Sequence, residues 1–391
     1  MSDPSTARAG ASTLPRPGAA GNQPKRVVLV HDWLTGMRGG EKVLESLCRL
    51  FPDAPILTLV HTRGSVSELI ERHSIRTSFV QGLPRPARFY RHYLPLFPAA
   101  IEMFDLDDAD LVISTSHCAA KAVVPTGRAI HICYCHTPMR YAWDHFDNYF
   151  GRERVGAVQH AVLRRVMAWL ARWDRATAHR VHRFVANSRF VAGRIARYYN
   201  RQASVLHPPV DTAFFTPSGA APEAYFLVVS ALVPYKRVDV AILAAMRLGV
   251  PLKIVGTGPE LGRLRTLAGP GVEFLGDLDN EALRDAYRRA KAVVLPGEED
   301  FGIVPVEAHA CGRPVVALGR GGACETVVPD VTGVLVDRDT PEAFAEALSE
   351  AGRRAFDLSA IRARAEIFGR ERFESEFASL VTETCTAHTG C

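Results

Sequence analysis

The feature that most limits the folds open to this chain is a rhythm of short apolar runs. Each run is rich in β-branched residues, ends in glycine, proline or polar residues, and is followed by a helical stretch. "RVVLVHDW" (26–33), "PILTLVH" (55–61), "LVISTS" (111–116) and "AIHICYCHT" (129–137) form the first set. Continuous apolar runs of this length read as parallel strands buried on both faces. Strands alternating with helices make a doubly wound α/β domain. The helical stretch after the first run, "TGMRGGEKVLESLCRLF", opens on glycines and sets Val43, Leu44, Leu47 and Leu50 on one face. The rhythm restarts near residue 225 with "YFLVVSAL", "PLKIVGTG", "VEFLGDL", "AVVLPGE" and "RPVVALGRGG". The sequence therefore predicts two Rossmann-like domains, 25–202 and 203–365, joined by the stretch 206–224, which is rich in proline and small residues. Two such domains facing each other leave a cleft at the carboxyl ends of their strands, where ligands bind in open α/β sheets.

The length agrees with this division, since 391 residues exceed one typical domain. A net charge of +5 favours anionic ligands or surfaces without marking a nucleic-acid binder. The eight cysteines form no C-x-x-C pair and no zinc-like spacing, so free thiols in a reducing compartment are expected. The segment 1–24 carries Pro, Gly, Ser and Ala without an apolar run, which predicts a disordered tail and not a signal peptide. No stretch approaches the roughly 18 apolar residues of a membrane span. A cytosolic protein is expected, resting at most on a membrane surface.

Five segments fall at predicted strand ends: "HDWLTGMRGGE" (31–41), "CHTPMRYAWD" (135–144), "SALVPYKR" (230–237), "GTGPE" (256–260) and "EEDFGIVPVEA" (298–308). In the last, Glu299 and Glu307 flank a mostly apolar run, although carboxylates are costly to bury unpaired. Gly297 ends a strand, "EDFGIVP" reads as a loop, and "VEAHACG" reads as the start of a helix. Loop amides and a helix N-terminus bind phosphate oxygens, while a carboxylate at each end of the loop takes hydroxyl donors. A nucleotide sugar has hydroxyls at both ends and phosphates in the middle. The blander reading is a surface carboxylate plus a helix-start residue favoured by the dipole. "GTGPE" lacks the third glycine of a dinucleotide fingerprint and follows the wrong strand, so NAD is not expected. "DLDD" (105–108) and "DLD" (277–279) stand away from strand ends or from basic company, so no metal is expected.

On "LPGEEDFGIVPVEAHACGRPVVA", with its E-x7-E run, the chain resembles the retaining GT-B glycosyltransferases of family 4. "LVPYKRVD", "NSRFVAGRI", "HPPVD" and "FLGDLDNEALRDAY" support the likeness, which runs from about 26 to 380. "VHDWLTGMRGGEKVLE" and "CHTPMRYAWD" resemble the branch that holds O-antigen and exopolysaccharide mannosyltransferases. The resemblance implies a GT-B fold in which 366–391, including "FGRERFESEF", crosses back to the first domain as a helix. It implies that Glu307 accepts ribose hydroxyls and that Glu299 sits over the transferred hexose. Backbone amides of Phe301, Gly302 and Ile303 would hold sugar hydroxyls or phosphate. Lys236 would neutralise the departing diphosphate, and His136 would lie beside the sugar's 6-hydroxyl. Gly39 and Gly40 would let the first domain approach the diphosphate. Many relatives carry an arginine five positions before the lysine; here that position is Ala231, and Arg237 is the candidate replacement. Taken singly, each has an ordinary reading: Lys236 a surface cation, His136 a core histidine, Gly39 and Gly40 a simple turn.

The implied activity is metal-independent, retaining transfer of a hexose, with GDP-mannose the first donor to consider. Between 160 and 201 ten arginines stand against one acid, Asp174, with Trp169 and Trp173 interleaved, and 84–98 adds three arginines and four aromatics. Such surface suits anionic lipid headgroups, although a solvated helix face reads the same way. The implied acceptor is a polyprenyl-diphosphate sugar or glycan, with peripheral membrane contact and no nucleic acid. A nucleotide-sugar epimerase and a non-catalytic sugar-nucleotide binder remain as alternatives. A phosphorylase would need a lysine for pyridoxal phosphate and a far longer chain.

Overall fold

In the computed structural model, which describes residues 26–389 apart from 145 and 220, the apolar runs become the middles of two parallel sheets. The first contains β1 (Val27–His31), β2 (Ile56–Thr58), β3 (Ile75–Thr77), β4 (Leu111–Ser116), β5 (Ile130–Cys135), β6 (Arg183–Ala186) and β7 (Ala203–Val205), in the order β3-β2-β1-β4-β5-β6-β7. The second contains β8 (Phe226–Val229), β9 (Leu252–Val255), β10 (Val272–Gly276), β11 (Ala292–Leu295), β12 (Val315–Leu318) and β13 (Gly333–Val336), in the order β10-β9-β8-β11-β12-β13. The residues of β4, β5, β11 and β12 are all buried. Each sheet has an apolar cluster on either face. Leu29, Ile113 and Ile132 point into one layer of the first domain, and Val30, Val112 and Met139 belong to the other. The expectation of a disordered tail over 1–24 lies outside the described residues.

In both sheets the chain winds one way from the starting strand and then returns to continue on its other side. The reversal falls between β1 and β4 in the first sheet and between β8 and β11 in the second. Ligand crevices in open α/β sheets form at such switch points, beyond the carboxyl ends of the strands. Loops 32–38, 117–119, 230–233 and 296–302 all leave from these four strands.

The chain crosses between domains twice, and the two crossings lie side by side. Val210 N donates to Phe368 O at 3.0 Å beside a bridge between Val210 and Gly369. The Arg362 guanidinium ties the first crossing down by donating to the carbonyls of Thr212, Phe215 and Ala310. The Arg370–Thr389 helix then lays Phe373, Phe377, Leu380 and Val381 into the first domain's core with Leu29, Leu47 and Tyr134. No helix among the described residues is long and apolar enough to cross a membrane.

Candidate active site

The strand-end faces of the two domains meet. On the second domain, Gly302 takes a left-handed conformation (φ +86°) just ahead of the Ile303–Ala310 helix, a geometry that glycine adopts without a Cβ penalty. The helix thus begins at Ile303 and not at "VEAHACG", which places Glu307 in its second turn. Pro305 is tolerated because first-turn amides have no partner within a helix in any case. Gly297 permits the turn carrying Lys236 to close over the end of β11. A Cβ there would stand 2.6 Å from Tyr235 O and 2.7 Å from Lys236 Cα.

That closeness lets Lys236, at the end of the Pro234–Lys236 turn, form an ion pair with Glu299. Glu307 is buried, with its carboxylate shared between the domains. Lys42 Nζ of the first domain donates to Oε1 at 2.6 Å, and the Tyr287 hydroxyl donates to Oε2 at 2.9 Å. Burial works against the Lys42 charge, yet Glu307, with help from Asp211 and Glu45, raises its pKa above the ordinary lysine value. The side chain of Phe301 is buried among Phe368 and His207, with ring centroids 5.5 and 5.4 Å away, so only its backbone is placed for a ligand.

Asp300, between Glu299 and Phe301, faces across the cleft. It accepts from Arg140 Nε at 2.9 Å and again from Nη2, accepts from Thr137 Oγ1 at 3.3 Å, and lies 3.7 Å from Arg194 Nη1. Ser188 Oγ donates to the Asp300 carbonyl at 2.5 Å. Further along, Glu325 accepts the N–H groups of Arg189 and Phe190 at the start of the Arg189–Tyr199 helix and pairs with His207 at 3.0 Å. One carboxylate of the second domain thereby satisfies amides that a helix N-terminus leaves open.

The first domain's wall is built on histidines. Asp32, at the end of β1, is fully buried and accepts the backbone N–H of His117, Cys118, Ala119 and Ala120 at 2.6–2.9 Å, while His117 Nδ1 lies 3.0 Å away. Burial pushes the Asp32 pKa up, but His117 and His31 outweigh it and hold the carboxyl below the usual range. His136 leaves β5 with Nε2 buried and without a hydrogen-bond partner among the described residues. Burial, reinforced by His117 and His31, lowers its pKa to about 3, so the ring is neutral at physiological pH. A Cβ on Gly40 would sit 3.5 Å from His136 Nε2, and one on Gly39 would sit 2.9 Å from Ile303 Cδ1 of the opposite domain.

Contacts therefore run from His136 to Gly40, from Gly39 to Ile303, from Lys42 to Glu307, and from Lys236 to Glu299. Arg237 stands apart. Its backbone is left-handed (φ +49°), and its guanidinium binds Asp339 at 2.5 Å and Asp239 at 3.4 Å. The structure thus gives no support to Arg237 as the replacement for an arginine at 231. Lys42, Arg140, Asp300, Asp32, His117 and Tyr287 were not singled out from the sequence. Lys42, Arg140, Asp300 and Asp32 lie inside the strand-end segments or directly beside them, and His117 directly follows the apolar run 111–116, which was the available signal. Tyr287, on the Asn280–Arg289 helix, had none.

Comparison with known proteins bears on the family and the fold. Residues 37–214 match Glycosyltransferase Family 4, and residues 212–360 match Glycosyl transferases group 1. Each domain thus matches one glycosyltransferase family model. D-inositol 3-phosphate glycosyltransferase of Mycobacteroides abscessus is 35% identical over 194 residues, 43% of this chain and 44% of that protein. The Salinispora tropica enzyme of the same name is 31% identical over 249 residues, 53% and 52% of the two chains. The chain spans about half the length of the curated relatives it matches. Among solved structures, Anabaena HepE in complex with UDP-glucose covers 91% of this chain and 99% of its own, at a TM-score of 0.69 and 19% identity. Sucrose-phosphate synthase of Thermosynechococcus elongatus covers 93% and 100%, at 0.68 and 16%. These likenesses establish the two-domain GT-B fold.

Proposed function

We propose that the protein is a retaining glycosyltransferase that moves a hexose from a nucleotide sugar to a hydroxyl of a saccharide acceptor. The observation that carries this reading is the pair of carboxylates bracketing one loop and helix start at the second domain's switch point. Glu299 holds Lys236, and Glu307 lies buried at the other end with two donors on it. In the proposal, Glu307 takes the ribose hydroxyls, the backbone of Phe301, Gly302 and Ile303 meets the phosphates or the sugar, and Glu299 receives hexose hydroxyls. Lys236, released from Glu299 by the arriving sugar, neutralises the charge that grows on the departing diphosphate. A fixed cation at that point stabilises the transition state more than the ground state. His136, neutral and with one nitrogen unclaimed, offers a hydrogen bond to the sugar from the opposite wall.

The finer reading is mannose from GDP-mannose, without a metal, delivered to a lipid-linked oligosaccharide at a membrane surface. It rests on the sequence resemblance to the mannosyltransferase branch. A second reading, a UDP-hexose donor, is favoured by the UDP-glucose held in the HepE neighbour. The inositol phosphate acceptor in the relatives' names marks an alternative acceptor class. A thermal-shift screen of GDP-mannose, UDP-glucose and other GDP- and UDP-hexoses separates these. A donor at 100 times its Kd stabilises by about 2.7 kcal/mol. The account expects one nucleotide family to shift the melting temperature, and no shift with any of them overturns it.

A further inference from the structure

Two groups already occupy the Glu307 carboxylate, and they differ in origin. Tyr287 belongs to the same domain, is fully buried and forms part of the wall. Lys42 reaches over from the opposite domain, in the first turn of the Gly39–Leu50 helix, and 30% of its side chain is exposed. Its ammonium is a compact charge on a flexible four-carbon stem. Phe215, its ring centroid 5.6 Å from Nζ, lies beneath it as a face and not as a trap. Ribose hydroxyls approaching Glu307 from the cleft meet the ammonium first. The same nucleotide brings phosphates a few bonds away, toward a helix start whose Gly39 and Gly40 amides have no partner within the helix.

We propose that Lys42 is a donor-positioning residue. Its ammonium and the ribose hydroxyls exchange on Glu307, and the displaced ammonium moves to the donor's diphosphate. The proposal rests on the assignment of Glu307 to ribose and adds a role for a residue of the other domain. It couples nucleotide recognition in the second domain to the glycine-led helix of the first. It also has a consequence that a purely structural ion pair lacks. A nucleoside displaces Lys42 and gains nothing in return, whereas a nucleotide regains a charge-assisted contact. Removing the ammonium should therefore affect the two in opposite directions.

Titration calorimetry with UDP and GDP, and competition by uridine and guanosine, tests this on wild type, Lys42→Ala and Lys42→Met. The methionine variant keeps the apolar stem over Phe215, which controls for folding. The expected result is that the preferred nucleoside diphosphate binds about tenfold more weakly to both variants, ~1.4 kcal/mol, while its nucleoside competes more strongly than with wild type. Equal changes for nucleoside and nucleotide overturn the exchange, as do unchanged affinities or a nucleoside that competes with neither wild type nor Lys42→Met. Glu307→Ala in the same series separates the two layers. If it leaves nucleotide affinity untouched, the ribose assignment has failed and the exchange falls with it.

Discussion

Arg140 of the first domain and Asp300 of the second are joined across the cleft, Nε to Oδ2 at 2.9 Å, with a second bond from Nη2. Asp300 directly follows Glu299, so the contact that draws the domains together also fixes the loop proposed to hold the hexose. Breaking a buried ion pair by removing one partner strands the other charge, typically at a cost of about 3–5 kcal/mol. Asp300→Ala should cost about 3 kcal/mol, because it leaves both Arg140 and Arg194 without their shared carboxylate, and Asp300→Asn should cost less. Urea unfolding midpoints check this. An Asp300→Ala variant as stable as wild type would mean that the pair holds nothing together.

Three buried histidines give the fold an acid-sensitive side. His131, His136 and His309 each have a pKa lowered to about 3, burial being the largest cause. The unfolded chain binds those protons near the ordinary histidine value of about 6.5, and the folded chain does not. Stability therefore falls as pH drops from about 6.5 toward 3, by ~1.4 kcal/mol per pH unit for each histidine. The lowered pKa values of Asp32 and Glu41 act in a lower window: their contribution is present above the unfolded carboxylate values and is lost as pH falls through the folded ones. Denaturation between pH 6 and 5 should show uptake of about three protons on unfolding, and one fewer in His136→Gln. A stability that is flat across that window would contradict the buried, neutral rings.

Glu307→Ala should weaken binding of the nucleoside diphosphate more than Glu299→Ala does, since the nucleotide is assigned to the Glu307 end of the loop. Isothermal titration with UDP and GDP measures both. Equal affinity of Glu307→Ala and wild type would remove the ribose assignment.

The Ala157–Ala176 helix exposes Val158, Val162 and Trp169 at helical spacing on the face that also carries Arg165 and Arg172. Other arginines of the basic stretch are turned to protein partners. Arg180 binds Glu102, Arg183 binds Glu383, Arg194 binds Asp144, and Arg201 binds the carbonyls of Ala178 and Val181. If the exposed face meets anionic lipid, vesicle sedimentation should fall as salt rises and screens charges beyond about 8–10 Å, and Trp169→Ser should reduce it at every salt concentration. Binding indifferent to salt, or no binding to anionic vesicles, leaves an ordinary solvated helix.

The fold was legible where an apolar run was bounded by glycine, proline or polar residues. β1, β2, β4, β5, β8, β9, β10, β11 and β12 fall in short apolar runs between helical stretches, and their order in the chain implied parallel sheets. β3 and β7 escaped notice because they are three-residue edge strands with half-exposed side chains. β6 was hidden inside an arginine-rich stretch that invited a reading of surface charge. At the site, Lys236 and Glu299 were recognisable as strand-end residues and proved to be partners. Lys42 and Glu307, 265 positions apart, could be paired only once the two domains faced each other. The direction of Arg237 could not be read, because adjacency in sequence does not set it: its left-handed backbone turns it toward Asp339.

The central claim is that Lys236 acts where charge develops on the leaving diphosphate. The direct test is turnover of the preferred nucleotide sugar by wild type and Lys236→Ala, with donor affinity measured on the same preparations and with EDTA present in a parallel series. Loss of one such group typically lowers the rate by about 10²–10³, ~2.7–4 kcal/mol. The account predicts near-normal donor affinity, turnover reduced by that factor, an α-linked product from an α-configured donor, and wild-type activity that EDTA leaves intact. Full activity in Lys236→Ala, a β-linked product, or activity abolished by EDTA and restored by Mg²⁺ would contradict it.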